Sequence, residues 1–283
     1  MKIGTLADWF GVGLIEGIRE SERCGAQGVQ VYAAGELHPK DLTREKLELV
    51  KRTARDCHQQ VSALCGELGG YGFEKSEDNP EKIAYLKSVI DLAGELDCGV
   101  VTTHIGVVPA SKSDPTYQVM LEAMQEVGAY AAARGAYIAV ETGPEKISRL
   151  AAFVDDCGKG VAINYDPANI VMVSGEDPVP GVFDAGKRIV HTHAKDGLCL
   201  EPNDPAVHYH WFAEYGLEGM RERATCRETP LGEGAVDWER YLQALHQIGY
   251  DGFLTIEREV KNGAEDIRMA VGFLRNWLLK LGY

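Results

Sequence analysis

Residues 161–196 read VAINYDPANIVMVSGEDPVPGVFDAGKRIVHTHAKD. The stretch opens on an apolar, β-branched run at 161–165 and breaks at Asp166-Pro167. It then passes a short segment of helical spacing near 179–186 and returns to a β-rich run at 189–193. Two strand signals separated by a helix signal describe a parallel βαβ unit, since parallel neighbours need a crossover where antiparallel ones need only a turn. Each strand run ends on a group able to hold a cation, Asp166 in the first and His193 in the second.

The same alternation extends both ways. Strand-like runs recur at 2–6, 28–32, 60–65, 98–103, 136–141 and 252–256, and helical spacing fills 13–24, 43–58, 80–96, 115–134, 145–156, 237–248 and 264–281. Asn79-Pro80 and Asp114-Pro115 place a capping side chain ahead of a proline whose missing N–H costs nothing in a first helical turn. Gly135 and Gly158 stand where helices end. Eight such units predict a (β/α)8 TIM barrel built by residues 1–283 as one domain; a doubly wound open sheet shares the local pattern. The connection Gly197–Val236, after strand seven, reads as one long irregular loop. Its aromatics Tyr209, Trp211, Phe212 and Tyr215 suit a lid, a substrate wall, a subunit contact, or a surface excursion packed on itself.

Four residues at strand ends share one direction: Glu141 in VETG, Asp166, His193, and Glu257 in TIERE. Strand side chains alternate, so Ile138, Val140, Ile163, Tyr165, Val190, Thr192, Leu254 and Ile256 take the face opposite, as a face packed on helices should. The four therefore point inward at the carboxyl-end mouth, where barrel sites are built. One pleat deeper stand Ala139, Asn164, His191 and Thr255, three of them polar and able to support ligands above. Taken singly, each carboxylate could cap the next helix or pair with a base. Together, three buried carboxylates without a cation would cost several kcal/mol or force a proton on. Three carboxylates and an imidazole suit one divalent ion, with Mn²⁺ expected first and Mg²⁺, Co²⁺ or Zn²⁺ also compatible.

Further candidates line the same mouth. His104 in TTHIG ends strand four as a substrate-binding or catalytic group, and Trp9 and Glu67 follow strands one and three. Lys195 shares the inward parity of His193 and is placed to touch a substrate oxygen, whereas Asp196 orients neighbours. His191 is either a satisfied interior histidine or a direct contact.

Composition limits partners. With 43 acidic against 29 basic residues the net charge is −14, which disfavours nucleic acid and acidic membrane surfaces, since those depend on Lys and Arg. Seven cysteines, without a CxxC pair, read as reduced thiols rather than a zinc-thiolate site. The opening MKIGTLADWF has no signal-peptide pattern and no run reaches the ~20 apolar residues of a membrane span, so a cytoplasmic location is expected. No Walker or Rossmann phosphate fingerprint appears.

VETG, NYDPAN, HTHAKD, GEGAVDW and FLTIERE together resemble the xylose isomerase-like TIM-barrel family of sugar and sugar-phosphate isomerases and epimerases, with inosose isomerases and dehydratases among its members. The resemblance implies that Glu141, Asp166, His193 and Glu257 bind one divalent ion and that the two glutamates also act as acid and base. Free-ketose 3-epimerases of that family place a His three residues after the metal-binding Asp and an Arg six after the metal-binding His; here Asn169 and Cys199 stand there, and the AKD run after His193 looks more like the inosose branch. Asn169 then becomes a substrate-side candidate. The implied chemistry is proton abstraction beside a carbonyl through a metal-stabilised enediolate, on a small carbohydrate; the long loop 197–236 suits a homodimer or homotetramer. The alternatives are a dehydratase using the same intermediate and, lower, a non-catalytic carbohydrate-binding subunit, which would have no use for an acid/base pair.

Overall fold

Strand β1 (Lys2–Leu6) is hydrogen-bonded on both sides, Thr5 standing opposite Val29 of β2 (Gly28–Tyr32) and opposite Ile256 of β10 (Phe253–Ile256). Between those neighbours run β3 (Gln60–Cys65), β4 (Val100–Thr103), β5 (Tyr137–Glu141), β6 (Val161–Tyr165) and β7 (Ile189–Ala194), all parallel, in the closed order β1-β10-β7-β6-β5-β4-β3-β2. The sheet is thus the predicted (β/α)8 TIM barrel and not an open one. The computed structural model describes residues 1–283 except 203, 224, 261 and 262, and, among residues 205–223, not the side chains at 217, 218, 220 and 221.

The crossovers are α1 (Leu14–Cys24), α2 (Arg44–Asp56), α3 (Asn79–Glu95), α4 (Pro115–Ala132), α5 (Ile147–Cys157), α6 (Pro167–Ser174) with α7 (Val179–Ala185), then α8 (Pro205–Arg223) with α9 (Trp238–Gln247), and α10 (Ala264–Leu281). Their apolar stripes cover the outward strand residues: α2 buries Leu47, Val50 and Ala54, while Ile138, Val140, Ile163, Tyr165, Leu254 and Ile256 lose essentially all contact with water. Each buried aliphatic side chain contributes roughly 1.5–3 kcal/mol, which is what holds helices to barrel. The lumen is different in kind. Gln30, Thr102, Asn164, His191 and Thr255 are all buried there, and Gln30 Nε2 donates to Thr102 Oγ1 at 3.1 Å.

The Asp114 carboxylate takes the Thr116 N–H at 2.8 Å, as the Asp-Pro signal predicts, and Gly135 and Gly158 adopt φ of 69° and 82°. Asn79 does not cap. Helix α3 begins on it, and its Nδ2 instead donates to the Phe73 carbonyl at 3.2 Å, pinning the preceding loop.

Two connections differ from expectation. Helix α6 starts directly after Asp166 and buries seven of its eight residues; being apolar all round, it has no amphipathic period to betray it. The segment 197–236 is not an irregular loop. It contains most of an antiparallel ribbon of β8 (Asp196–Cys199) and β9 (Cys226–Thr229) with α8 between them, bent at Gly216. Asp196 anchors it, its carboxylate accepting from the N–H groups of Gly197 (2.9 Å), Val236 (3.1 Å) and Gly232 (2.9 Å) and from Trp238 Nε1 (2.9 Å). No helix of the described residues is long and apolar enough to cross a membrane.

Candidate active site

Four barrel strands in succession, β5, β6, β7 and β10, end at one mouth and deliver the four predicted residues to one point. Glu141 closes β5, His193 is the penultimate residue of β7, and Asp166 and Glu257 follow β6 and β10 directly. One donor atom from each lies within 4.8 Å of the others, and all four residues are buried. Asp166 combines the two roles open to it: Oδ1 caps α6, accepting from Ala168 N (2.7 Å) and Asn169 N (3.3 Å), while Oδ2 is buried with no partner.

The orientation of His193 decides what the cluster can hold. Its Nδ1 lies 3.2 Å from Glu257 Oε2, 3.4 Å from Glu141 Oε1 and 3.7 Å from Asp166 Oδ2, yet makes a hydrogen bond with none of them. Its Nε2 lies 3.1 Å from Gln30 Oε1, an oxygen that also faces His191 Nε2 at 2.9 Å. Because the Gln30 amide nitrogen is committed to Thr102, that oxygen accepts and Nε2 of each ring donates to it; Asn164 Nδ2, 3.3 Å from the same His193 nitrogen, gives its proton to Glu141 instead. The second ring nitrogen, Nδ1, is then turned toward three carboxylates, where either a second proton or a cation can sit. An unpartnered nitrogen and an unpartnered carboxylate oxygen buried side by side fit a divalent cation, and the mixed O/N donor set is one that such ions accept.

Surrounding groups hold the carboxylates. Asn164 Nδ2 donates to Glu141 Oε2 (3.1 Å) and Asn169 Nδ2 to Glu141 Oε1 (2.9 Å) and the Thr142 carbonyl (3.2 Å). Lys195 Nζ, itself buried, bridges Glu257 Oε2 (3.1 Å) and Glu259 Oε2 (2.6 Å). Burial works to raise both cluster glutamates, but His193, joined by His104 at Glu141 and by Lys195 at Glu257, outweighs it and keeps both below the usual carboxylate range. For His193 the balance runs the other way: burial opposes its charge, Glu257 and Glu141 favour it, and its affinity for a proton rises well above normal. His191, buried beside His193 and away from the carboxylates, is pushed well below and stays neutral.

The remaining candidates are placed as follows. His104 Nδ1 meets Glu67 Oε2 at 2.9 Å and its Nε2 approaches Glu141 Oε1 at 3.7 Å; against burial, Glu141 and Glu67 lift its pKa to about 10. Asn169 and Lys195 touch the cluster glutamates themselves, so their polar ends are occupied by protein. His191 lies one layer down on Gln30. Trp9 sits in the 3₁₀ turn after β1, half-buried against the core, its indole N–H without a partner.

Gln30, Thr102 and Glu259, which the sequence reading did not single out, and aromatics of α8, which it did, complete the surroundings of the cluster. Gln30 and Thr102 lie on strands far from the cluster in the chain, and the Glu259 carboxylate takes Lys195 while its N–H donates to Glu228 of the ribbon; only their inward parity could have flagged them. From α8, Tyr209 packs over Gly143, where a Cβ would stand 3.0 Å from its ring, and lies 6.0 Å from the His104 ring. His210 reaches Glu74 (3.3 Å) and Tyr71 reaches Glu214 (2.7 Å), tying α8 to the loop after β3. Trp211 and Tyr215 instead stack on Arg223. Through Tyr209 and His210 the long connection stands against the mouth.

The family model for a xylose isomerase-like TIM barrel matches residues 18–277. Among solved structures, the chain is similar to a xylose isomerase domain protein from Planctomyces limnophilus, with 27% identity, a TM-score of 0.80, and 99% of this chain and 98% of that one covered. It is also similar in fold to a D-tagatose 3-epimerase-like protein, with 17% identity, a TM-score of 0.77, and 100% and 98% covered. Among curated proteins it is 24% identical over 187 residues to the uncharacterised protein MJ1311 of Methanocaldococcus jannaschii, covering 62% of this chain; the chain spans about half the length of that relative, 55% of it.

Proposed function

The chain belongs to the xylose isomerase-like TIM-barrel family, and from that premise we propose that it is a divalent-metal-dependent isomerase or epimerase of a small sugar or sugar phosphate. The observation that carries the reading is the cluster itself: His193 Nδ1 and Asp166 Oδ2 stand buried and unpartnered between Glu141 and Glu257. A divalent ion held by Glu141, Asp166, His193 and Glu257 supplies a Lewis acid that polarises a carbonyl and acidifies the carbon beside it.

The protein's own groups do the rest. Glu141 and Glu257 come from strands separated by β6 and β7, so they approach a substrate at the mouth from different sides. One takes the proton from that carbon and the other delivers one, which inverts the centre or shifts the carbonyl. Asn164 and Asn169 hold Glu141, and Lys195 holds Glu257, so that each carboxylate keeps its direction. His104, backed by Glu67, is placed to donate to a substrate oxygen. Tyr209 walls the site and limits water. Mn²⁺ is the ion we expect, in a cytoplasmic enzyme.

The test is solvent exchange. Protein supplied with Mn²⁺ in D₂O should label the carbon beside the carbonyl of at least one member of a panel of ketoses, ketose phosphates and inososes, and Glu257→Gln should abolish labelling. Loss of water from a substrate would instead assign a dehydratase. No labelling and no water loss across the panel, or no stoichiometric divalent ion bound by the native protein, would remove the proposal.

A further inference from the structure

The ribbon at the foot of α8 carries two cysteines in direct opposition. Cys199 of β8 is the register partner of Cys226 of β9. The next pair outward, Leu200 and Thr225, is joined by the Leu200 N–H to the Thr225 carbonyl at 2.9 Å. Hydrogen-bonded and non-hydrogen-bonded pairs alternate along an antiparallel ladder, so Cys199 and Cys226 occupy the non-hydrogen-bonded kind. There the side chains share one face and Cα atoms approach to about 4.5 Å, inside the roughly 4.4–6.8 Å that a disulfide spans. Both thiols are free and half-buried.

A base stands beside one of them. His208, on the first turn of α8, has Nε2 4.0 Å from Cys226 Sγ, while its Nδ1 lies 3.4 Å from Thr225 Oγ1. With the Nδ1 proton given to the threonine oxygen, the Nε2 lone pair faces the thiol. None of these groups belongs to the cluster at the barrel mouth.

We propose that Cys199 and Cys226 form a dithiol site that closes to an intramolecular disulfide on reaction with a low-molecular-weight disulfide such as oxidised glutathione. Cys226 loses its thiol proton to solvent, with His208 Nε2 beside the sulfur, and its thiolate attacks one sulfur of the reagent. That S–S bond breaks, a mixed disulfide forms, and one reduced thiol leaves with a proton. The Cys199 thiolate then attacks the Cys226 sulfur, forming the protein disulfide and expelling the second reduced thiol. Two protein thiols are oxidised and one reagent disulfide is reduced to two thiols. Burial holds the imidazole of His208 down at about 4 and raises the Cys226 thiol above its ordinary value, so the attacking thiolate is a minor form at ordinary pH and the exchange is slow. The bond ties together the two ends of the segment that brings Tyr209 and His210 to the mouth, removing freedom from the wall of the site.

The experiment is peptide mapping by mass spectrometry of the native protein held in oxidised glutathione. The expected result is one linked Cys199–Cys226 peptide pair, lighter by two hydrogens and restored by dithiothreitol, with the other five cysteines unlinked. Cys199→Ser should trap a persistent glutathione adduct on Cys226. A stable adduct on either cysteine of the unmodified protein, a link between two molecules, or both thiols left unreacted would overturn the proposal. No substrate or metal enters the measurement, so its outcome leaves the functional reading untouched.

Discussion

Replacing Gln30 by Met keeps the length of the side chain and removes the acceptor on which both lumen imidazoles rest. In the native arrangement Gln30 Oε1 faces His191 Nε2 at 2.9 Å and His193 Nε2 at 3.1 Å. Without it, two buried N–H groups lose their partner, at roughly 1–3 kcal/mol each. His193 has an escape: its proton can move to Nδ1, which already lies 3.2 Å from Glu257 and 3.4 Å from Glu141. A proton there occupies the position offered to a cation, so the metal must pay to reverse the tautomer. The expected result is a loss of about 10- to 100-fold in Mn²⁺ affinity, about 1.4–2.7 kcal/mol, measured by calorimetric titration. Gln30→Glu keeps an acceptor and should recover most of the loss. In protein loaded with Mg²⁺, ¹⁵N spectra should place the ring proton of His193 on Nε2. Wild-type affinity in folded Gln30→Met, or a ring proton on Nδ1 in the loaded protein, would refute the reasoning. Failure of the unmodified protein to bind any divalent ion would instead refute the functional proposal on which it stands.

Asp196→Ala strips four donors, those of Gly197, Gly232, Val236 and Trp238, of their common acceptor; a loss on the order of 4 kcal/mol is expected in urea unfolding, and a loss below about 1 kcal/mol would show that the anchor is dispensable. Gly72→Ala should lower the melting temperature by several degrees, because φ of 54° disfavours a side chain and the new Cβ would collide with the backbone of Ile105. Glu145 is buried with Oε2 unpartnered, and burial lifts its pKa to about 7 from an ordinary 4.5. Its folded value being the higher, the folded state binds the proton more tightly, so this residue's contribution to stability is complete below about pH 4.5 and is lost as pH rises to about 7, by on the order of 3 kcal/mol. Glu145→Gln should therefore gain stability over the unmodified protein at pH 8 and gain little near pH 5; an equal difference at both would refute the assignment.

Periodicity carried most of the fold. Strands β1 to β7 and β10, and most helices, lie within a residue or two of their expected positions, because a helix or strand that is apolar on one face writes its period into the chain. Where that period is missing the reading failed: α6 is buried all round, the ribbon is anchored by Asp196 reaching N–H groups far along the chain, and α8 is tied to the loop after β3 through Glu214 and His210. Inward parity was enough to bring Glu141, Asp166, His193 and Glu257 to one mouth, since side-chain direction in a strand follows from position alone. Parity cannot say which strands become neighbours across a lumen, and so Gln30, 163 residues before His193 in sequence, was invisible as its partner. The local sequence thus determined the barrel and the identity of the four converging residues. Closure of the barrel decided which nitrogen of His193 faces them, because that depends on an acceptor supplied from the opposite wall.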